Sequence, residues 1–179
     1  MRLRRTAMSV AGFCLFVLVQ VAVAGPPDDV CGLPKDLHHE VASKYPGRTI
    51  VTLSDLSEAY KKLFQKDHGG DCPGLVKVDF YGDGKPTLAL ALTTKNVAQG
   101  KTELVLAHQI GADWKTITLE TTDGPTPVVW SEKPGEYKDV YGEKKIRATR
   151  PAIVFCGYES WAILYAWTNN RVVKIWLSD

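Results

Sequence analysis

The sequence predicts an α+β domain in which two N-terminal helices pack on a mostly antiparallel, meandering sheet of about seven or eight strands. Three observations lead there. Apolar residues recur at helical spacing in two stretches before Cys72, the apolar period drops to two after it, and turn residues divide the remaining chain into short strands.

Residues 25–34 are rich in Pro and Asp and read as an irregular segment, so the single domain runs over 35–179. In PKDLHHEVASKYPG, Leu37, Val41 and Tyr45 fall at steps of four and form one stripe on a short helix ended by Pro46 and Gly47. RTIVTL reads as a short strand. In SDLSEAYKKLFQKDHGG, Ser54 is the expected N-cap, Leu56, Tyr60, Leu63 and Phe64 share a face, and Gly69 and Gly70 stop the helix.

Beyond Cys72, Val76, Val78 and Phe80 alternate with Lys77, Asp79 and Tyr81. Across the next turn Leu88, Leu90 and Leu92 alternate with Ala89, Ala91 and Thr93, which makes a hairpin. TELVLAHQI and WKTITLETT, joined at Gly111 to Asp113, make a second, and TPVVWSE adds a strand before a loop rich in Gly, Lys and Glu. The C-terminal PAIVFCGYESWAILYAWTNNRVVKIWLSD holds a buried-type strand and then two strands joined across Asn169 and Asn170, residues that tolerate the positive φ of a tight turn.

The first residues combine Arg2, Arg4 and Arg5 with an apolar run and the small-residue pattern Ala22, Val23, Ala24 before Gly25, the layout of a secretory signal peptide over 1–24. A transmembrane anchor needs about 20 apolar residues. Here Gly25, Pro26 and Pro27 follow a shorter run, so no membrane span is expected in the mature chain. Cleavage removes three of the 22 basic residues and none of the 20 acidic ones, leaving the exported chain near charge balance. Without a basic run there is no footprint for nucleic acid, where phosphate neutralisation dominates affinity.

Cys31, Cys72 and Cys156 survive processing. In an oxidising periplasmic or extracellular setting two of them pair, which allows three pairings and leaves one thiol over. None lies in a C-x-x-C pair, so zinc or thioredoxin-like redox chemistry has no spacing behind it.

VDFYGDGKPTLALAL has the outline of a calcium loop, in which alternate residues supply oxygens to a hard cation. Asp79 and Asp83 keep their carboxylates and Thr87 offers a hydroxyl, but Tyr81 stands where another oxygen ligand belongs. A structural hairpin is therefore expected and no cofactor, with calcium at Asp79, Asp83 and Thr87 as the weaker alternative. The run resembles the FG-GAP or VCBS-type repeat motif, a strand, a GDG turn and a second strand, here in a single copy. Together with CPGLVKVDFYGDG and the ending LYAWTNNRVVKIWLSD, it looks like a group of small exported bacterial proteins without assigned activity. That resemblance implies an envelope address and supplies no reaction.

His38, His39 and Glu40 sit together, and His68 and Asp71 follow the second helix, so a metal site could form if both helix ends met. Adjacent histidines on a helix point about 100° apart, however, and the metalloprotease spacing is absent. For nucleophilic catalysis, GYES is not the strand-to-helix elbow, and Cys156 sits in an apolar strand. Trp161, Tyr165 and Trp167 share strand parity, as do Lys174 and Trp176 on the next strand. These aromatics either form a platform for a sugar, peptide or protein, or are core with both faces covered.

The expected function is that of an exported, periplasmic, non-enzymatic binding or interaction module, with an envelope protein, peptide or glycan as partner and Trp161, Tyr165, Trp167 and Trp176 as its contact residues. A small hydrolase or metal-dependent enzyme built on His38, His39, His68 and Asp71 is the alternative. Inhibition of a cell-wall hydrolase such as lysozyme is a further one, suggested by size, disulfide context and β-rich build.

Overall fold

A computed structural model describes residues 31–94, 100–124 and 126–178. The expected signal peptide and most of the expected irregular segment therefore lie outside the described residues. The elements are α1 (Lys35–Lys44), β1 (Arg48–Ile50), α2 (Glu58–His68), β2 (Leu75–Val78), β3 (Thr87–Thr94), β4 (Thr102–Ile110), β5 (Asp113–Thr122), β6 (Val128–Glu132), β7 (Gly135–Lys138), β8 (Lys145–Ala148), β9 (Ala152–Gly157), β10 (Trp161–Thr168) and β11 (Arg171–Ser178). Among the described residues no helix is long and apolar enough to cross a membrane.

The expected α+β arrangement, two helices packed on one meandering sheet, is not what the chain adopts. Among the described residues it is mostly β, with eleven strands in antiparallel sheets, 49% strand against 17% helix. The strands divide into a five-stranded sheet, in which β1, β3, β4 and β5 follow one another and β2 also pairs with β3, and a four-stranded sheet in the order β11, β10, β9, β6. A two-stranded hairpin, β7 with β8, occupies the Gly-, Lys- and Glu-rich segment expected to be a loop.

The reason lies in β3, where both sets of alternating residues are buried. Leu88, Leu90 and Leu92 face one cluster with Val105, Ala107 and the α1 residues Leu37 and Val41. Ala89 and Ala91 belong instead to the main core, with Leu104 and Leu106 of β4 and residues of β6, β9 and β10. The first sheet is thus covered twice, by a helix on one face and by the second sheet on the other. Each helix inserts little: α1 buries Leu37 and Val41, and α2 buries Phe64. Only α1 covers a face of the first sheet, and α2 contributes Phe64 to the core between the sheets.

Local chemistry explains the boundaries. The N-cap of α2 is Ser57, whose side chain accepts from the Tyr60 amide, and not Ser54. Ser54 is spent in a 3-10 turn, Leu53–Asp55, where the Asp55 carboxylate accepts from the Thr52 amide at 2.7 Å. β1 and β2 share one edge of β3 and converge at Ala91, which receives the Val51 amide and donates to the Gly74 carbonyl. A Cβ on Gly74 would stand 2.5 Å from the Val51 carbonyl oxygen, so this junction requires glycine. Between β10 and β11, Asn169 and Asn170 take φ of 51° and 56°, the turn expected of them.

Cys31 and Cys72 form a disulfide with Cα atoms 5.2 Å apart, tying the residues before α1 to those after α2. Cys156 is the buried free thiol, and desolvation pushes it up to about 11.

Candidate functional site

The GDG turn is closed by the protein's own groups. Asp79 Oδ2 accepts from the Gly84 amide at 3.3 Å, and Asp83 Oδ1 accepts from the Lys85 amide at 3.1 Å. The Arg150 guanidinium, from the segment between β8 and β9, donates to the Tyr81 carbonyl and lies against Gly82. Thr87 is fully buried, and its hydroxyl meets Nδ1 of His108, directly opposite on β4, at 3.0 Å. The far side of that ring, Nε2, lies 3.2 Å from Asp83 Oδ2. Desolvation raises the Asp83 carboxyl, but the Lys85 amide and His108 outweigh it and leave the group below its ordinary range. Tyr81 packs on His108 with ring centres 4.4 Å apart and meets Trp167 edge-on at 4.8 Å.

Asp79, Asp83 and Thr87 all belong to the turn and its flanks, but each is engaged with the backbone or with His108, and the His108 ring stands between Asp83 and Thr87. His108 was not singled out by sequence reasoning. Its signal is positional: pairing the GDG hairpin with TELVLAHQI in register places it opposite Thr87.

The four aromatics of the C-terminal strands are divided by the fold. Tyr165 is buried, and its hydroxyl donates to Glu120 Oε2 of β5 at 2.7 Å across the two sheets. Trp161, Trp167 and Trp176 are half-buried against the main core, Trp161 on Phe155 and Trp167 on Tyr81. The Lys174 ammonium lies 4.9 Å from the centre of the Trp176 ring and is bonded to the same Glu120 carboxylate. The backbone beside Trp176 is held by Asp139, a buried carboxylate that accepts from the Trp176 amide at 3.1 Å and the Tyr141 amide at 3.0 Å.

Two clefts flank the disulfide. One, of about 390 Å³, opens between the end of α2, the segment around Cys72, and β6; Phe64, His68, Asp71, Leu75, Trp130 and Ser131 contribute to its walls. Its wall is a stack: the His68 ring lies between Phe64 and Trp130, with centres 4.8 and 4.9 Å away. The Trp130 indole N–H donates to Glu132 at 3.0 Å, which fixes the ring. The other cleft, of about 380 Å³, lies beside α1 and takes His38, Cys31, Arg48 and Thr49 into its lining.

His38 and the pair His68 and Asp71 thus belong to different clefts, and His39 is exposed on α1. Among the described residues no group of three or more His, Cys, Asp or Glu is placed to hold a metal ion. The stacked cleft brings together His68 and Asp71, which the sequence singled out, with Trp130, which it did not. Trp130 carries no sequence signal of its own, because it lies in a short strand between apolar and polar neighbours.

Chemically, the cleft can hold a ligand by its aromatic rings and the Asp71 carboxylate. The Thr87–His108 contact has the form of a nucleophile and a base, but a fully buried hydroxyl cannot meet a substrate. Compared with known proteins, the chain matches no protein-family model, no curated protein and no solved structure.

Proposed function

We propose that the chain is an exported, non-enzymatic binding module whose ligand site is the cleft between the end of α2 and β6. The observation that carries this is the Phe64, His68 and Trp130 stack beside Asp71 in a cleft of about 390 Å³. Small-molecule sites commonly measure about 300 to 1,000 Å³ and pair aromatic walls with a few polar groups. The rings are held by packing and by the Trp130–Glu132 hydrogen bond, so little ordering is needed on binding.

The cleft replaces the C-terminal aromatics as the contact surface in this proposal. Tyr165 is spent on Glu120, and the three tryptophans are half-buried against the core. An exported address is supported by the signal-peptide pattern of residues 1–24 and agrees with the Cys31–Cys72 disulfide, a bond favoured outside the cytosol.

A test is an amide NMR screen of the mature chain against a panel of mono- and disaccharides, dipeptides, carboxylates and amines. Panel members that bind should move the Gly70, Asp71 and Val129 amides and the Trp130 indole, and Trp130→Ala should weaken them at least tenfold. A panel that moves only resonances elsewhere, or none, would sink the proposal.

A further inference from the structure

We infer that the cleft recognises a primary ammonium group on a short apolar stem, the chemistry at the end of a lysine side chain; this rests on the cleft being the ligand site. The pattern is already present once inside the fold. There, the Lys174 ammonium is held jointly by the Trp176 ring, at 4.9 Å from its centre, and by the Glu120 carboxylate. The cleft's lining holds the same two kinds of partner, an indole from Trp130 and a carboxylate from Asp71, and its described residues include no Lys or Arg.

Each wall has a role for such a ligand. The π system of Trp130 attracts a cation through its negative face and Asp71 supplies the opposite charge, while Phe64, fully buried, backs the stack from behind His68. Leu75 and the disulfide sulfur side of the cleft give the stem an apolar surface, and Ser131 adds a hydroxyl acceptor. An anionic ligand would meet Asp71 without a resident Lys or Arg to receive it. A neutral sugar would leave the carboxylate without a charged partner. The volume exceeds what a four-carbon stem fills, which leaves room for the atoms that carry the amine.

The experiment is an amide NMR titration of the mature chain with n-butylammonium, Nα-acetyl-lysine amide, its neutral Nε-acetyl counterpart and 1-butanol, repeated in Asp71→Asn. Asp71 is exposed, so this variant folds as the parent does. Both ammonium probes should shift the Asp71 and Val129 amides and the Trp130 indole, with dissociation constants at least about fivefold below those of the neutral probes, a margin that partly exposed cation–π and ionic contacts supply. In Asp71→Asn that margin should disappear. Tighter binding of the lysine derivative points to a peptide side chain as the source, and tighter binding of butylammonium to a free amine; either supports the inference. Neutral probes binding equally well, an unchanged margin in Asp71→Asn, or no shift at the cleft with either ammonium probe would overturn it. Cleft shifts by sugars or neutral peptides in the broader screen would still leave the binding-site proposal standing, so the two fail separately.

Discussion

His108 joins Thr87 to Asp83 through its two ring nitrogens, Nδ1 at 3.0 Å from the threonine hydroxyl and Nε2 at 3.2 Å from the carboxylate. A carboxylate only accepts, so Nε2 carries a proton, and in the neutral ring Nδ1 accepts from Thr87. The imidazole thus ties the turn carboxylate to the start of β3. His108→Ala should cost about 2 kcal/mol in urea unfolding, because the fully buried Thr87 hydroxyl loses its partner. Thr87→Val should cost less, since His108 keeps some solvent access. Calcium in millimolar excess should leave the melting temperature of the parent unchanged; a rise that Asp83→Ala abolishes would return an ion to the turn.

Gly82 takes φ of 69° while the Arg150 guanidinium lies where its Cβ would be. Gly82→Ala should therefore destabilise by more than the roughly 1 kcal/mol that left-handed backbone alone costs a non-glycine residue. Relief should come from Arg150→Ala in the same chain, measured as a double-mutant cycle, because removing the guanidinium opens the space. Equal costs with and without Arg150 would show that only the backbone angle matters.

How far the sequence carries can be judged from these same residues. The hairpin across Gly82 and Gly84 was legible because apolar alternation and turn chemistry agreed, and the strand pairing of Val78 with Thr87 follows from it. The split into two sheets was not. A run such as Leu88 to Leu92, buried on both faces, looks the same whether helices or a second sheet lie beyond its alanines. Nor does parity say which ring meets which partner: Trp161, Tyr165 and Trp167 keep one parity along β10, yet Tyr165 reaches Glu120 of the other sheet while Trp161 packs on Phe155 and Trp167 on Tyr81. The cleft was half legible, through His68 and Asp71. Trp130 joins them only because β6 pairs with β9 and lies under the end of α2, contacts made over long sequence separations.

Asp139 pins the β7–β8 hairpin to the outer strand of the second sheet by accepting two backbone amides from a buried position. Asp139→Ala leaves the Trp176 amide without its acceptor and should cost about 2 to 3 kcal/mol, the range for a lost bond to a charged group. Hydrogen exchange should locate the loss: residues 135–148 and the Trp176 amide should exchange faster while β3 and β4 keep their protection. Uniform loss across both sheets would show that the hairpin is part of the global folding unit.

The Cys31–Cys72 bond closes 41 residues of separation that contain both helices. In the chain-entropy description a loop of this length is worth about 4 kcal/mol, mainly by restricting the unfolded chain. Cys31→Ser combined with Cys72→Ser should lower stability by up to that amount, and limited proteolysis should then cut first around α1, which buries only Leu37 and Val41. The proposed ligand cleft borders Cys72, so the double variant should also weaken the binding proposed there. Cleavage appearing first at β9 or β10 would mean that the bond supports the whole core instead.

Glu120 links the sheets, accepting from Tyr165 and from Lys174. Desolvation pushes its carboxyl up, but the hydrogen bonds and the lysine charge outweigh that and leave it below its ordinary 4.5. A carboxyl lowered by folding binds its proton less readily in the folded chain than in the unfolded one. Its contribution to stability is therefore complete above the unfolded value and is lost as pH falls through the folded one. Glu120→Gln should cost about 1 to 2 kcal/mol near neutrality, a figure kept small because the pair is partly exposed. Urea unfolding of parent and variant should show a constant gap between roughly pH 6 and 8 that narrows below about 4.5 as the parent's carboxylate is neutralised. Tyr165, whose phenol burial and Glu120 together push far above its ordinary range, stays a neutral donor throughout and contributes no slope. A gap that persists unchanged into acid would mean that the contact depends on hydrogen bonding alone and not on the charge.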